Sequence, residues 1–207
     1  MMSKTHIAVG VASALTIAHT GSVESCLAAI LGGSIGGIIA DCDITPSRAH
    51  KDALIGRLAV VGIAVVSLAV DYHFSAGICD YIVGNVGMKT IAGVVLFAAL
   101  TFVGGHTDHR SFTHSLVAMA SFCGACYLAC EPLLPFFAMG YASHLVLDVT
   151  NHQPIRLFWP ARKGVSIGLC LAKGVANSVV LGVGLVACVL LIAYRLYPLV
   201  SAAISMC

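Results

Sequence analysis

The residues most able to do chemistry are a histidine and an aspartate one helical turn apart. His144 and Asp148 lie in the stretch Gly-Tyr-Ala-Ser-His-Leu-Val-Leu-Asp, residues 140–148. A spacing of four places the imidazole and the carboxylate on one face of a helix, which suits two ligands of one metal ion. An ionisable pair inside an apolar helix is unfavourable unless it is paired, metal-bound or facing water. We therefore predict a functional pair, with a plain structural pair as the alternative.

A second polar group is the segment 108–115, Asp-His-Arg-Ser-Phe-Thr-His-Ser. We expect a helix to begin near His114 with Thr113 as its N-cap, and such a helix end favours an anion such as a phosphoryl oxygen. Arg110 could hold the same anion through a forked pair of hydrogen bonds. The alternative makes Arg110 a headgroup anchor and the histidines interfacial side chains. Beside the first pair, the segment favours a functional site.

A third group consists of Asp41 and Asp43, which follow an apolar helix. Carboxylates at a helix C-terminus oppose the helix dipole, and a bound cation would relieve that conflict. His6, near the start of the first helix, is ambiguous by itself. Together the candidates exceed what one tetrahedral zinc with an open water position needs, and they suit two ions. The predicted metal ligands are His6, Asp41, Asp43, His109, His114, His144 and Asp148.

The composition indicates what surrounds these residues. With 59% hydrophobic residues, 10% charged residues and a mean hydropathy of +0.98, a soluble domain would have too little polar surface to cover itself. We predict a single integral membrane domain over residues 1–207. The apolar N-terminus lacks a convincing cleavage site, so we retain it as mature sequence. Nine cysteines, an odd number, argue against a disulfide framework.

The hydropathy pattern predicts an all-α, polytopic bundle of about six to seven helices. The first apolar run is the least certain, because Thr16, His19 and Thr20 make it weakly hydrophobic, and partial insertion is the alternative to a full span. The glycine cluster at residues 32–37 indicates either close helix contact or mere tolerance of glycine in membrane helices. The predicted runs are residues 6–20, 24–40, 58–74, 90–105, 114–130, 134–150 and 168–195.

Threading these runs alternately across the bilayer separates the charges. Nine of the eleven basic residues fall on one face, which leaves Lys89 and Arg195 on the other, so the positive-inside rule makes the first face cytoplasmic. The same face receives all histidines except His19 and His73. We therefore predict a multi-pass protein of the inner (plasma) membrane with its site facing the cytoplasm. The nine basic residues are Lys4, Arg48, Lys51, Arg57, Arg110, Arg156, Arg162, Lys163 and Lys173.

The order of these motifs resembles a known family. His6, Asp41-Cys-Asp43, the HRxxTHS and GYxSHxxxD elements of the second and first groups, and a final Leu-Phe-Trp-Pro at 157–160 resemble the YdjM family of predicted LexA-regulated, membrane-bound, metal-dependent hydrolases. The resemblance covers roughly residues 1–163. That family is distantly similar to the zinc phospholipase C and P1 nuclease group, which implies zinc and phosphoester hydrolysis for this chain.

One departure from the family pattern concerns the residues after Asp43. The family often has histidine and proline there, whereas this chain has Ile44-Thr-Pro46. Three explanations stay open: the histidine is not an essential ligand, His50 replaces it, or the site is impaired.

The leading functional hypothesis is a metal-dependent hydrolase acting at the membrane surface on a phosphoester, with a lipid headgroup as one substrate class. Arg110 would stabilise developing phosphoryl charge, and Asp43 is a catalytic candidate as well as a ligand. The expected partners are membrane lipids and a phosphoester substrate, without specific nucleic-acid binding. The alternatives are a transporter, whose site should lie near the bilayer midplane, and a structural protein whose metal only joins helix ends.

Overall fold

The computed structural model describes residues 2–43, 46–75, 77, 80–81, 84, 86–169 and 174–205, without the side chains of residues 46–57, 60 and 64. Several residues of the sequence predictions lie outside this description. They are Ile44, Lys173 and the side chains of Arg48, His50, Lys51 and Arg57.

Apolar runs separated by short polar segments make this chain all-helical, as predicted, and the described residues contain no strand. Short 3-10 helices lie at Ala40–Asp43 (η1), Phe112–His114 (η2) and Glu131–Leu133 (η3). The α-helices are α1 (Ser3–Leu15), α2 (Val23–Ile39), α3 (Pro46–Phe74), α4 (Met88–Gly105), α5 (Leu116–Ala129), α6 (Leu134–Val149) and α7 (Val175–Ser205). Each of the seven predicted runs overlaps one α-helix, although α3 begins twelve residues before its run and α7 ends ten residues after its run.

Four helical stretches are long and apolar enough to cross a membrane, namely Val23–Asp43, Met88–Gly105, Glu131–Val149 and Val175–Ser205. The apolar helix α5 is shorter, and its 14 residues rise about 21 Å, which is less than the roughly 30 Å of a hydrocarbon core. Exposed valines and leucines run along α4 and α7, as expected for helices that face lipid. The predicted number of six to seven hydrophobic helices is therefore only an approximate number of membrane spans.

The first helix lies in the interior of the bundle. It packs against α2, α6 and α7, and its last residues, Ala14 and Leu15, are fully buried. The polar residues Thr16, His19 and Thr20, which made this run look weakly hydrophobic, follow the end of the helix. At 13 residues, α1 rises about 20 Å and is not among the four stretches long enough to cross, so whether it spans fully or inserts partly stays a prediction.

Glycines allow the backbones of α1, α2 and α6 to touch. A methyl group added at Gly36 would lie 2.2 Å from the carbonyl oxygen of Phe137, and one at Gly10 would lie 2.5 Å from that of Gly33. A methyl group at Gly140 would also lie 2.5 Å from the Gly33 oxygen. Close helix contact, one of the two sequence interpretations, is confirmed. This contact draws together the helix ends that carry the predicted ligands.

A loop over residues 151–169 covers the same end of the bundle. It folds back on itself through two hydrogen bonds between Ile155 and Val165, with N···O distances of 3.0 and 2.8 Å. The N–H of Leu116 donates to Leu157 (3.0 Å), and the N–H of Ile167 donates to Val149 (2.7 Å). These bonds fix the loop to the first turn of α5 and the last turn of α6.

Candidate metal centre

All seven predicted metal ligands lie together at one end of the bundle. They come from α1, η1, the 108–115 segment and α6, and every one is buried except His109. Within each of three overlapping groups, the potential ligand atoms lie within 4.8 Å of one another. The groups are His6 with His144 and Asp148, Asp41 with His114 and His144, and Asp43 with His109 and His114.

Three donor atoms at the centre, on His114, His144 and Asp148, have the mutual spacing of ligands of one tetrahedral ion, and Asp41 lies beside the two histidines. His114 Nε2 lies 3.2 Å from Asp148 Oδ2, 3.3 Å from His144 Nε2 and 3.7 Å from Asp41 Oδ1. His144 Nε2 lies 3.6 Å from Asp148 Oδ2 and 3.7 Å from Asp41 Oδ1. Ligands of a tetrahedral zinc at its usual bond lengths are separated by about 3.3 to 3.5 Å. The donor set therefore fits a zinc ion.

A backbone carbonyl orients the His144 ring. Its Nδ1–H donates to the oxygen of Gly37 at 2.8 Å, which leaves Nε2 unprotonated and directed at the cluster. The ring also stacks on His6, with centroids 3.8 Å apart. Sequence reasoning missed the Gly37 contact, because a carbonyl carries no residue-type signal.

Asp43 organises the segment that carries the other histidines. Its Oδ1 accepts from His109 Nδ1 at 2.8 Å, and its Oδ2 accepts from the Thr113 hydroxyl at 2.7 Å and the Arg110 N–H at 3.1 Å. The Nδ1 atom of His114 is 3.4 Å from the same Oδ2. A carboxylate beside Nδ1 orients a histidine so that Nε2 is free for a metal.

The predicted N-cap of α5 is wrong. Ser115, rather than Thr113, caps the helix: its hydroxyl accepts from the Ala118 N–H at 3.1 Å, and the helix begins at Leu116. The Thr113 hydroxyl is occupied by Asp43. Because the N–H of Leu116 also donates within the protein, the expected anion site at this helix end lacks two of its donors.

The cluster concentrates negative charge in the interior. Asp41, Asp43 and Asp148 are buried, and the Arg110 guanidinium is 3.9 Å from Asp148. Burial lowers the pKa of His114, but its hydrogen bonds to Asp148, Asp41 and Asp43 outweigh burial and hold that pKa well above its usual range. Buried carboxylates need a proton or a cation nearby, and a divalent metal would meet that need.

The surroundings of His6 also favour a bound cation. Among the described residues, neither of its ring nitrogens has a hydrogen-bond partner, although the side chain is fully buried. Its Nε2 is nevertheless 3.3 Å from Asp148 Oδ1. A buried nitrogen this close to a carboxylate without a hydrogen bond is costly, and a shared cation would compensate both atoms.

Arg110 lies at the edge of the cluster with donor capacity left over. Its Nη1 donates to the carbonyl of Gln153 at 2.7 Å, while its buried Nε has no acceptor among the described residues. Its φ of +66° is a left-handed conformation that the Asp43 contact helps to hold. An anionic ligand could supply the missing acceptor.

Other polar residues do not join the cluster. His106, Asp108 and His152 are exposed, and His19 contacts Ser25 beyond the far end of α1.

Sequence reasoning also missed Ser3, whose hydroxyl donates to Asp41 at 3.3 Å. The spacing of three between Ser3 and His6, which places both on one helical face, could have found it.

The last helix is tied to the start of α1 through Asn177, whose side-chain oxygen accepts from the Met2 N–H at 3.1 Å and the Thr5 hydroxyl at 2.9 Å.

Comparison with known proteins identifies one family, and its match includes the last helix. No curated protein and no solved structure matches the chain. The family described as YdjM inner membrane protein matches residues 1–204, beyond the expected limit near residue 163. The chain therefore belongs to the YdjM inner membrane protein family.

Proposed function

We propose that this protein is a metal-dependent hydrolase that cleaves phosphoesters at the cytoplasmic face of the inner membrane. The observation that carries the proposal is the central set of three donors on His114, His144 and Asp148, which are buried and spaced like three ligands of a tetrahedral zinc ion. A catalytic zinc site has three protein ligands and a fourth position for water. The metal is zinc, with one or two ions.

When bound, the metal supplies Lewis acidity and a water molecule of lowered pKa. The protein's own groups then have separate tasks. Gly37 holds His144 in the tautomer that binds through Nε2, and Asp43 orients His114. Arg110 offers its free Nε to a phosphoryl oxygen and stabilises the charge that develops there as water adds across one P–O bond.

Asp148 also offers a ligand atom to a second ion. Its Oδ2 faces His114 and His144, whereas its Oδ1 faces His6 at 3.3 Å. Asp148 and His6 would hold this second ion, and two-metal sites are common in phosphoester hydrolysis.

The position of the cluster favours hydrolysis over transport. His6 lies near the start of α1, His144 and Asp148 lie in the last two turns of α6, and Asp41 follows α2. Transporter sites usually lie near the bilayer midplane, between broken helices. A cluster at the helix ends instead lies near the headgroup region, and His109 is its exposed member.

Metal analysis of protein purified in detergent tests the proposal. We expect zinc in the wild type, loss of zinc in His144→Ala, and full zinc in His73→Ala, which removes an exposed histidine from the end of α3. Hydrolysis of a panel of phosphomonoesters and phosphodiesters should follow the zinc content. Full zinc in His144→Ala would contradict the ligand assignment, and zinc without hydrolysis of any substrate would favour a structural metal.

Labelling of cysteines from outside intact cells tests the orientation. On a background without native reactive thiols, we expect Lys89→Cys to be labelled and Arg162→Cys to be protected, because both side chains are exposed and the basic residues place them on opposite faces. Strong labelling at position 162 would reverse the orientation and move the site to the outer face.

A further inference from the structure

An apolar groove lies on the outside of the bundle, between the first turns of α5, the last turns of α6 and the 151–169 loop. Its volume is about 480 Å³, within the range of small-molecule sites, and Thr150 is its one polar lining residue. Most of its walls are formed by Leu116, Met119, Ala142, Val146, Leu157 and Ile167.

Hydrogen bonds link this groove to the candidate metal centre. The carbonyl of Arg110 accepts from the N–H of Arg156 at 3.0 Å, and the next residue, Leu157, lines the groove and accepts from Leu116. The Arg110 guanidinium reaches toward Asp148, at 3.9 Å. Arg110 therefore connects the wall of the groove to the cluster.

The loop that forms one wall of the groove is basic. Residues 151–169 include Arg156, Arg162 and Lys163 but no aspartate or glutamate, and the last two basic side chains are exposed. Positive charge beside an apolar surface complements a ligand with an anionic head and an apolar tail. The free Nε of Arg110 adds a buried donor for the head.

The depth of the groove suits a lipid chain. It follows α6 from Ala142 to Val149, a rise of about 10 Å, which is most of one leaflet's share of a hydrocarbon core. Val146 is 63% exposed at its rim, so the groove is open sideways to lipid. A molecule could therefore enter from the bilayer.

We propose that this groove binds an acyl chain of an anionic glycerophospholipid, with the lipid phosphate at Arg110. The inference rests on the proposed function and deepens it, because it makes a phosphoester of the adjacent leaflet the substrate. The tail occupies the groove while the head lies between the basic loop and the cluster.

Photo-crosslinking tests binding without depending on catalysis. The probe is phosphatidylglycerol with a diazirine in one acyl chain, added to protein in phosphatidylcholine nanodiscs. We expect adducts on groove residues of α5 and α6, and about tenfold fewer in Val146→Trp, since losing the burial of about two methylenes has that effect on affinity. Val94→Trp, a matched change at an exposed valine on α4, should leave the adducts unchanged.

Equal labelling of α4 and the groove, or labelling that Val146→Trp leaves intact, would show annular lipid only and overturn the proposal. A cleavage assay separates this outcome from failure of the hydrolase proposal. Val146→Trp should lower the ratio of phosphatidylglycerol cleavage to bis-p-nitrophenyl phosphate cleavage. Groove adducts in a protein that cleaves neither ester would support the lipid site and reject the hydrolase, whereas cleavage without groove adducts would do the reverse.

Discussion

At one end of the bundle, Arg195 donates to the carbonyls of Leu15 and Thr16 and to the hydroxyl of Thr20, whereas at the other end His6 has no hydrogen-bond partner among the described residues. The arginine contacts cap the last turn of α1, and they account for a basic residue on that face. The histidine belongs to a cluster of buried acids and imidazoles that face one another. Polar side chains that satisfy the backbone carbonyls at a helix end stabilise the fold. Buried polar side chains that lie together without enough hydrogen-bond partners indicate a ligand-binding site.

The largest effect that would sharpen this comparison is expected for Asp148→Ala. This change removes the carboxylate shared by His6, His114 and His144, so we expect loss of bound zinc and of more than about 100-fold of any hydrolytic activity. Zinc analysis and phosphoester assays measure it. Asp108→Ala is the matched control, because that aspartate is exposed near the same end of the bundle. Zinc retained in Asp148→Ala would contradict the assignment of Asp148 as a ligand.

A second, smaller effect is expected where the helices that carry the cluster touch. Gly36→Ala places a methyl group 2.2 Å from the Phe137 oxygen, so α2 and α6 must separate, at a cost of about 1–3 kcal/mol. We expect a lower melting temperature and weaker zinc binding. Gly124→Ala, with open space around its new methyl group, should be neutral or stabilising. Equal zinc affinity in both variants would show that the Gly36 contact does not set the geometry of the metal site.

The opposite end should affect stability alone. Arg195→Ala removes the donors that satisfy the last carbonyls of α1, and we expect a loss of about 1–2 kcal/mol with unchanged zinc content. Thermal unfolding in detergent and zinc analysis of the same preparation measure both quantities. Loss of zinc in Arg195→Ala would contradict this expectation, since it would show that the two ends of the bundle are coupled through α1.

The smallest effect is a pH dependence at the cluster. Because the pKa of His114 is raised, its ring keeps a proton to higher pH in the metal-free protein, and zinc must displace that proton. Zinc affinity should therefore rise with pH, by up to about tenfold per unit for one proton. The metal-free fold has the opposite dependence: the raised pKa stabilises it below the unfolded pKa, and that contribution is lost as the pH rises through the folded pKa. Chelator competition and melting curves across neutral pH test both signs.

Residue type, helical spacing, the alternate threading of the apolar runs and the family resemblance together named the seven residues that the structure brings together, since imidazoles and carboxylates in apolar helices are costly unless they are compensated. For the glycine cluster at residues 32–37 the sequence left two interpretations open, and the structure selected close helix contact. The choice between Thr113 and Ser115 as the cap of α5 was not predictable, because both are good caps. Asp43 decided it by accepting from the Thr113 hydroxyl, a contact between residues 70 positions apart in the chain.

By itself, the sequence determined an apolar, all-helical membrane protein with metal-type side chains at one end, because composition, hydropathy and spacing are local properties that need no fold to be visible. Tertiary structure decided which of those side chains share a centre and which way they point. It also decided that α1 lies inside the bundle. These outcomes depend on backbone contacts between distant segments, such as Gly37 with His144 and Gly10 with Gly33. Neither a carbonyl partner nor the angle of a helix crossing is encoded in the type of any single residue.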